Sequence, residues 1–282
     1  MIDKRVVDVI HALGHETDTP QEIVADIVRR ALPSIRLVAQ FPKKGKRSRL
    51  GGCRIGGLPD LPIGVEWPRR SRAKKEYPSE RQSADEPLWF LMQINLAEVA
   101  FADLAKVLPK VGILYFFYHW HNAADDDPAA WLVLFHKDAE QGLRQVKAPA
   151  DLHSTGHFRG FNLLPRLEWM VPDCDNTNYH LGIWDNLKEP VAEVQGLEAS
   201  WGPTPIYRML GYPEFLQADG LGEGDILLLQ VSSDCQAGIT EVGPYPETGM
   251  RWGDHGRIYY IINEADLKAR YFGNLWAQLE DQ

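Results

Sequence analysis

No stretch of this 282-residue chain approaches the ~18 consecutive apolar residues a membrane-spanning helix requires. The N-terminus, MIDKRVVDVIHAL, alternates charged with apolar residues and lacks the apolar centre of a signal peptide. Cysteine is scarce: Cys53, Cys174 and Cys235 are odd in number and far apart. They form no disulfide framework and no CxxC knuckle, so a reducing cytoplasm is the expected setting. Basic charge is also in deficit, with 30 Lys and Arg against 39 Asp and Glu and a net charge of −9. That balance argues against bulk nucleic-acid binding, which needs a basic face. The runs Lys43–Arg49 and Arg69–Lys75 are local exceptions and read as solvated loops. There is no GxSxG elbow, and no Walker or Rossmann fingerprint. No cofactor is expected.

Aromatic residues are what the chain has in quantity, with nine Trp and ten each of Tyr and Phe. Val6, Val7, Ile10 and Leu13 predict a first helix. Thr19 as a cap, Pro20 at the first helical position and Glu22 as a capping-box partner predict a second, ended by Pro33. From Ile35 the period becomes two, which marks a strand. Gly51–Pro68 is too rich in Gly and Pro for a helix, and Arg69–Glu86 is almost free of apolar residues and reads as an exposed insertion. Trp89–Leu96 reads as a strand covered on both sides, Ala97–Leu108 as a short helix and Ile113–Tyr118 as a central strand. Trp131–His136 with Leu143–Val146 suggests a hairpin, and Asp266–Leu279 an amphipathic closing helix.

LMQINL and GILYFF recur as LLQVSS and GRIYYI, and Gly57-Leu58-Pro59 recurs as Gly211-Tyr212-Pro213. Each copy runs from a G-x-P turn through an apolar strand holding Gln to a G-x-[IL]-Y strand. The expected organisation is N-terminal helices over 1–33 packed outside one domain over 34–282. Repeat one spans about 50–120 and repeat two about 205–272, because a lone strand pair cannot bury its own faces.

The blocks GGLPDLPIGVEWP, PLWFLMQINLAE, LPKVGILYFFY, RMLGYPEFLQ, LLLQVSSD, RWGDHGRIYYII and DLKARYF resemble the DUF1963 (YwqG-like) family of bacterial proteins over roughly residues 35–277. The resemblance implies an α+β fold of mixed or antiparallel sheets with an internal duplication. It implies no reaction.

The candidate site residues break the apolar pattern or sit in Gly/Pro turns. Gln93 and Gln230 lie in strands that should be buried, and a buried amide must fill up to four hydrogen-bonding positions. They either line a groove between the halves or pin the backbone of the G-x-P turns. Asp60, Trp67, Asn95, Gln217 and Asp234 join them as ligand-binding candidates, as do Trp252 and Asp254 in the turn RWGDHG. Metal binding has only His119–His121 and the pair His153 and His157 to support it, and no metal is expected. The expected function is a non-enzymatic cytoplasmic protein that binds a protein partner or a small ligand in a cleft between the repeats. The alternative is a hydrolase using carboxylates such as Asp60 and Asp254 with His255 in that cleft.

Overall fold

The computed structural model describes residues 2–41, 48–70, 85–119, 130–138, 142–172, 183–197, 205–217, 220–234, 246–253 and 255–281. Most of the expected insertion, and the stretches holding His121, Cys174 and Cys235, lie outside them, as does Asp254.

Two helices open the chain, α1 (Lys4–Glu16) and α2 (Gln21–Arg30). Asp3 caps α1 by accepting from the Arg5 N–H at 2.9 Å. The capping box expected for α2 does not form: Pro20 is the N-cap residue, and the Thr19 hydroxyl bonds Thr17 instead. Strand β1 (Leu32–Gln40) starts directly after α2, so Pro33 belongs to a strand.

Ten strands make one antiparallel sheet. After β1 come the short β2 (Arg54–Ile55) and β3 (Asp60–Pro62), then β4 (Trp89–Asn95), the single turn α3 (Leu96–Val99) and β5 (Ile113–Tyr118). Next are β6 (Trp131–His136), β7 (Leu143–Gln145), β8 (Phe161–Met170), α4 (Ile183–Val194) and β9 (Tyr207–Met209). The chain ends with β10 (Asp225–Ser232), β11 (Arg257–Asn263), α5 (Glu264–Ala269) and β12 (Trp276–Glu280). The spatial order is β12-β11-β10-β9-β1-β8-β2-β4-β5-β6, with β3 and β7 forming a separate pair. The sheet curls until it nearly closes. Tyr260 of β11 packs on Phe116 of β5 at 5.1 Å and donates to the Phe117 carbonyl at 2.9 Å. The Trp131 indole of β6 reaches the Leu275 carbonyl just before β12.

Three further expectations change. The helix over 97–108 shrinks to one turn, which Asn95 caps through the Ala97 N–H. The proposed hairpin does not form, because β6 pairs with β5 while β7 pairs with β3. The closing helix divides: Arg270 adopts the left-handed region at φ 57° and ends α5, after which β12 pairs along β11. The spacing of Leu267, Tyr271, Leu275 and Leu279 was ambiguous, and pairing with an open strand edge decided it.

Inside the curl of the sheet the main core takes Ile35, Leu37, Met92, Ile94, Phe116, Leu229 and Tyr260 among others. A second cluster gathers Val6, Ile10, Val24 and Ile27 of α1 and α2 with Trp169 and Val171 and with Ile183, Leu187 and Val191 of α4. Since alternate strand residues point to opposite faces, burying Ile35 and Leu37 in the main core turns Ser34 and Arg36 to the other side.

Candidate functional site

Polar side chains on that second face line up across the strands. One row runs Asn162–Arg54–Gln93–Tyr115, each residue the register partner of the next on β8, β2, β4 and β5. A second runs Arg36–Arg208–Gln230–Tyr259 on β1, β9, β10 and β11. In each row one Arg, Arg54 or Arg208, precedes an acid by six positions, Asp60 or Glu214, and a left-handed glycine stands three residues before that acid, Gly57 at φ 70° and Gly211 at φ 72°.

The first row is sealed. Asp60 is fully buried, and its carboxylate meets the Arg54 Nη2 at 3.0 Å, the Gly51 N–H at 2.9 Å and the Gln93 Nε2 at 2.9 Å. Gln93 Oε1 accepts from the Asp60 N–H at 2.8 Å, and its amide also donates to the Gly52 carbonyl. Asn95 donates to the Gly51 carbonyl. The glycine loop therefore cradles the protein's own carboxylate. Of the two readings of Gln93, the bonds seen are those of a side chain pinning the turn.

Tyr115 donates to the Asp60 carbonyl at 2.6 Å, and burial, then the nearby Asp60 charge, pushes its phenol well above the ordinary tyrosine value. A phenol that resists ionisation only in the folded state contributes its full stability below pH ~10 and loses it as pH rises beyond. Urea denaturation at pH 8 and pH 11 should therefore show a smaller alkaline loss for Tyr115→Phe than for the parent protein. An equal loss in both would refute the assignment.

The second row repeats the bonding with two changes. Gln230 Oε1 accepts from the Glu214 N–H at 3.0 Å, and Tyr259 donates to the Glu214 carbonyl at 2.5 Å. The acid is a glutamate, and the neighbour of Arg208 across the sheet is the buried Arg36 where Arg54 has the exposed Asn162. Arg208 Nη1 lies 2.9 Å from Glu214, and its Nη2 lies 3.2 Å from Glu168 of β8. Arg36 meets Glu168 at 3.3 Å and Arg257 meets Glu214 at 3.7 Å. Burial works against the Arg208 charge, but Glu168 and Glu214 outweigh it and hold the guanidinium above its ordinary value. Arg208 Nε is buried with no hydrogen-bond partner among the described residues.

This network floors a cleft of about 490 Å³, open mouth included, walled by Trp169, Val191 and Ala192 and by the turn Tyr212–Glu214. A second opening of about 630 Å³ lies along β1, between Arg36, Arg166, Leu197 and Tyr207.

The remaining candidates are placed apart from it. Trp67 donates to the Leu88 carbonyl at 2.7 Å and packs edge-on against Phe117. Asp234 accepts from Tyr207, Thr248 and Gly249, and burial raises its pKa against the pull of those bonds. The Trp252 ring is buried between Tyr118 and Phe158, while His255 is exposed. Gln217 is exposed and donates to the Asp281 carbonyl. Asp60 and Asp234 share no partner in these bonds. His119 is buried and meets Glu86 at 2.8 Å. Among the described residues no three His, Cys, Asp or Glu side chains gather as a metal site.

Reading the sequence missed Arg36, Arg166, Glu168, Arg208 and Glu214. Their signal was arginine inside apolar strands and the repeated six-residue interval from Arg to acid.

The chain matches the family described as Domain of unknown function (DUF1963) over residues 53–280 and belongs to it. None of the curated proteins compared with it matches.

Proposed function

We propose that this is a cytoplasmic, non-enzymatic binding protein that holds a small ligand in the cleft floored by Arg36, Glu168, Arg208 and Glu214. The observation that carries the reading is the contrast between the two rows. A box of Arg, acid, Gln and Tyr needs no cleft to be stable, because the Arg54–Asp60 box is closed on itself. At Arg208 the same box carries an extra Arg–Glu pair and opens onto a walled space. Ligand sites combine apolar walls with a few convergent polar groups in this way.

The two rows also support an internal duplication. In this reading β1, β2, β4, β5 and β6 form one copy and β8 to β12 the other, and the copies exchange their first strands. β1 then lies beside β9 and β8 beside β2. The cleft sits where the first strand of one copy meets the second strand of the other, with α1 and α2 as an outer cover.

A library of small fragments, observed through the Trp169 indole and the methyls of Met170 and Val191, tests the reading. Hits should perturb these groups together. At a hundred times its Kd a hit should stabilise the fold by about 2.7 kcal/mol. Hits that touch neither this cleft nor the opening that adjoins it at Arg36, or no hits at all, would refute it.

A further inference from the structure

Three arginines stand side by side on three neighbouring strands, Arg166 of β8 opposite Arg36 of β1, and Arg36 opposite Arg208 of β9. Like charges placed directly opposite repel, so such a row persists only where counter-charges are supplied. Glu168 supplies them to Arg36 and Arg208, and Glu214 to Arg208. Arg166 has no such partner among the described residues. Its guanidinium donates to two neutral carbonyls, Gly196 at 2.9 Å and Gln195 at 3.1 Å.

The two openings meet at Arg36, which lines both. The described lining residues of the first include the cations Arg36, Lys188 and Arg208 and the carboxylates of Glu168 and Glu214. The second has Arg36 and Arg166 and no carboxylate among its described lining residues, and its other walls include Leu197, Pro205 and Pro246. It is the larger of the two, about 630 Å³ against about 490 Å³, open mouths included. The buried Nε–H of Arg208 is a donor still to be used.

We infer that the ligand is a small organic anion, a carboxylate or phosphate monoester on an apolar body, with its head on the arginine row and its body in the opening beside Leu197 and Pro205. This rests on the cleft reading above and adds the charge and position of the ligand. A planar, fork-shaped guanidinium suits such heads, and a lone amine would meet like charge.

The test uses four probes of one chain length, hexanoate, hexyl phosphate, hexylamine and hexanol, on the full-length protein. Binding is followed by NMR at Tyr207 and at the Arg166 Nε–H, with Trp169 and Val191 reporting the first opening. Hexanoate or hexyl phosphate should bind at least tenfold more tightly than hexylamine and hexanol, and lose affinity as salt rises. Whichever binds more tightly names the head group. Arg166→Gln, half-exposed and outside the Glu168 network, should keep the fold and weaken anion binding about tenfold, while Arg166→Lys recovers part of it. Equal or tighter binding of hexylamine or hexanol overturns the charge inference and leaves the cleft reading standing. If no probe and no fragment perturbs either opening, both fall. Anion binding unaffected by Arg166→Gln overturns the placement on the arginine row.

Discussion

Replacing Asp60 with Ala is expected to destabilise the fold by about 3–5 kcal/mol, the range for breaking one side of a buried ion pair. The carboxylate is completely inaccessible, and the Arg54 side chain it faces is 7% exposed. Without Asp60 the guanidinium keeps the Leu58 carbonyl at 2.7 Å, a neutral acceptor that cannot balance its charge. The Gly51 N–H and one Gln93 N–H lose their acceptor at the same moment. A buried donor left unpaired costs about 1–3 kcal/mol, and these losses fall within that total and are not additional to it. Urea denaturation should show a lower midpoint with an unchanged slope. Asp60→Asn, which keeps an acceptor oxygen, should fall between Ala and the parent. A loss below about 1 kcal/mol for Asp60→Ala, within the range of an ordinary substitution, would refute the structural role.

Arg208→Met should cost a similar ~3–5 kcal/mol, for the opposite reason. It removes the cation shared by two buried carboxylates and leaves Glu168 to Arg36 and Glu214 to the more distant Arg257. Buried charge networks are poor sources of net stability, because desolvation offsets most of the attraction. A quadruple variant that replaces the buried set in balance, Arg36→Met and Arg208→Met with Glu168→Leu and Glu214→Leu, should therefore regain much of what the single variant loses. If the cleft is a binding site, the quadruple variant folds yet no longer takes up the ligand. Recovery of stability with binding intact would detach the network from function.

These variants also separate what was legible in the chain from what was not. The apolar strands around Gln93 and Gln230 were readable, because burial on both faces writes an almost continuous apolar run and makes a lone amide conspicuous. The partners of those amides were not readable, although the G-x-P turns were suspected. Asp60 reaches Gln93 only because β3 folds back over β4, a contact between residues 33 positions apart. Asp60 was singled out as a possible ligand group, whereas the fold commits it to Arg54.

The site was harder to see. The period of two from Ile35 puts Arg36 on the face opposite Ile35, yet periodicity says nothing of what stands beside it. Arg166, Arg36 and Arg208 become neighbours through pairing among β8, β1 and β9, strands separated by long stretches of chain. The C-terminal segment shows the same limit, since Leu275 and Leu279 suit a helix face until β11 offers an edge. By itself the sequence determined the alternation of strands, the aromatic core, the family and the repeated turn-strand texture, all written in local spacing and composition. Only the tertiary structure decided which strands pair, that one box of Arg and acid is sealed while its counterpart opens, and that three arginines share a row. Those are non-local facts, set by cross-strand register and by how charge is balanced where water is excluded.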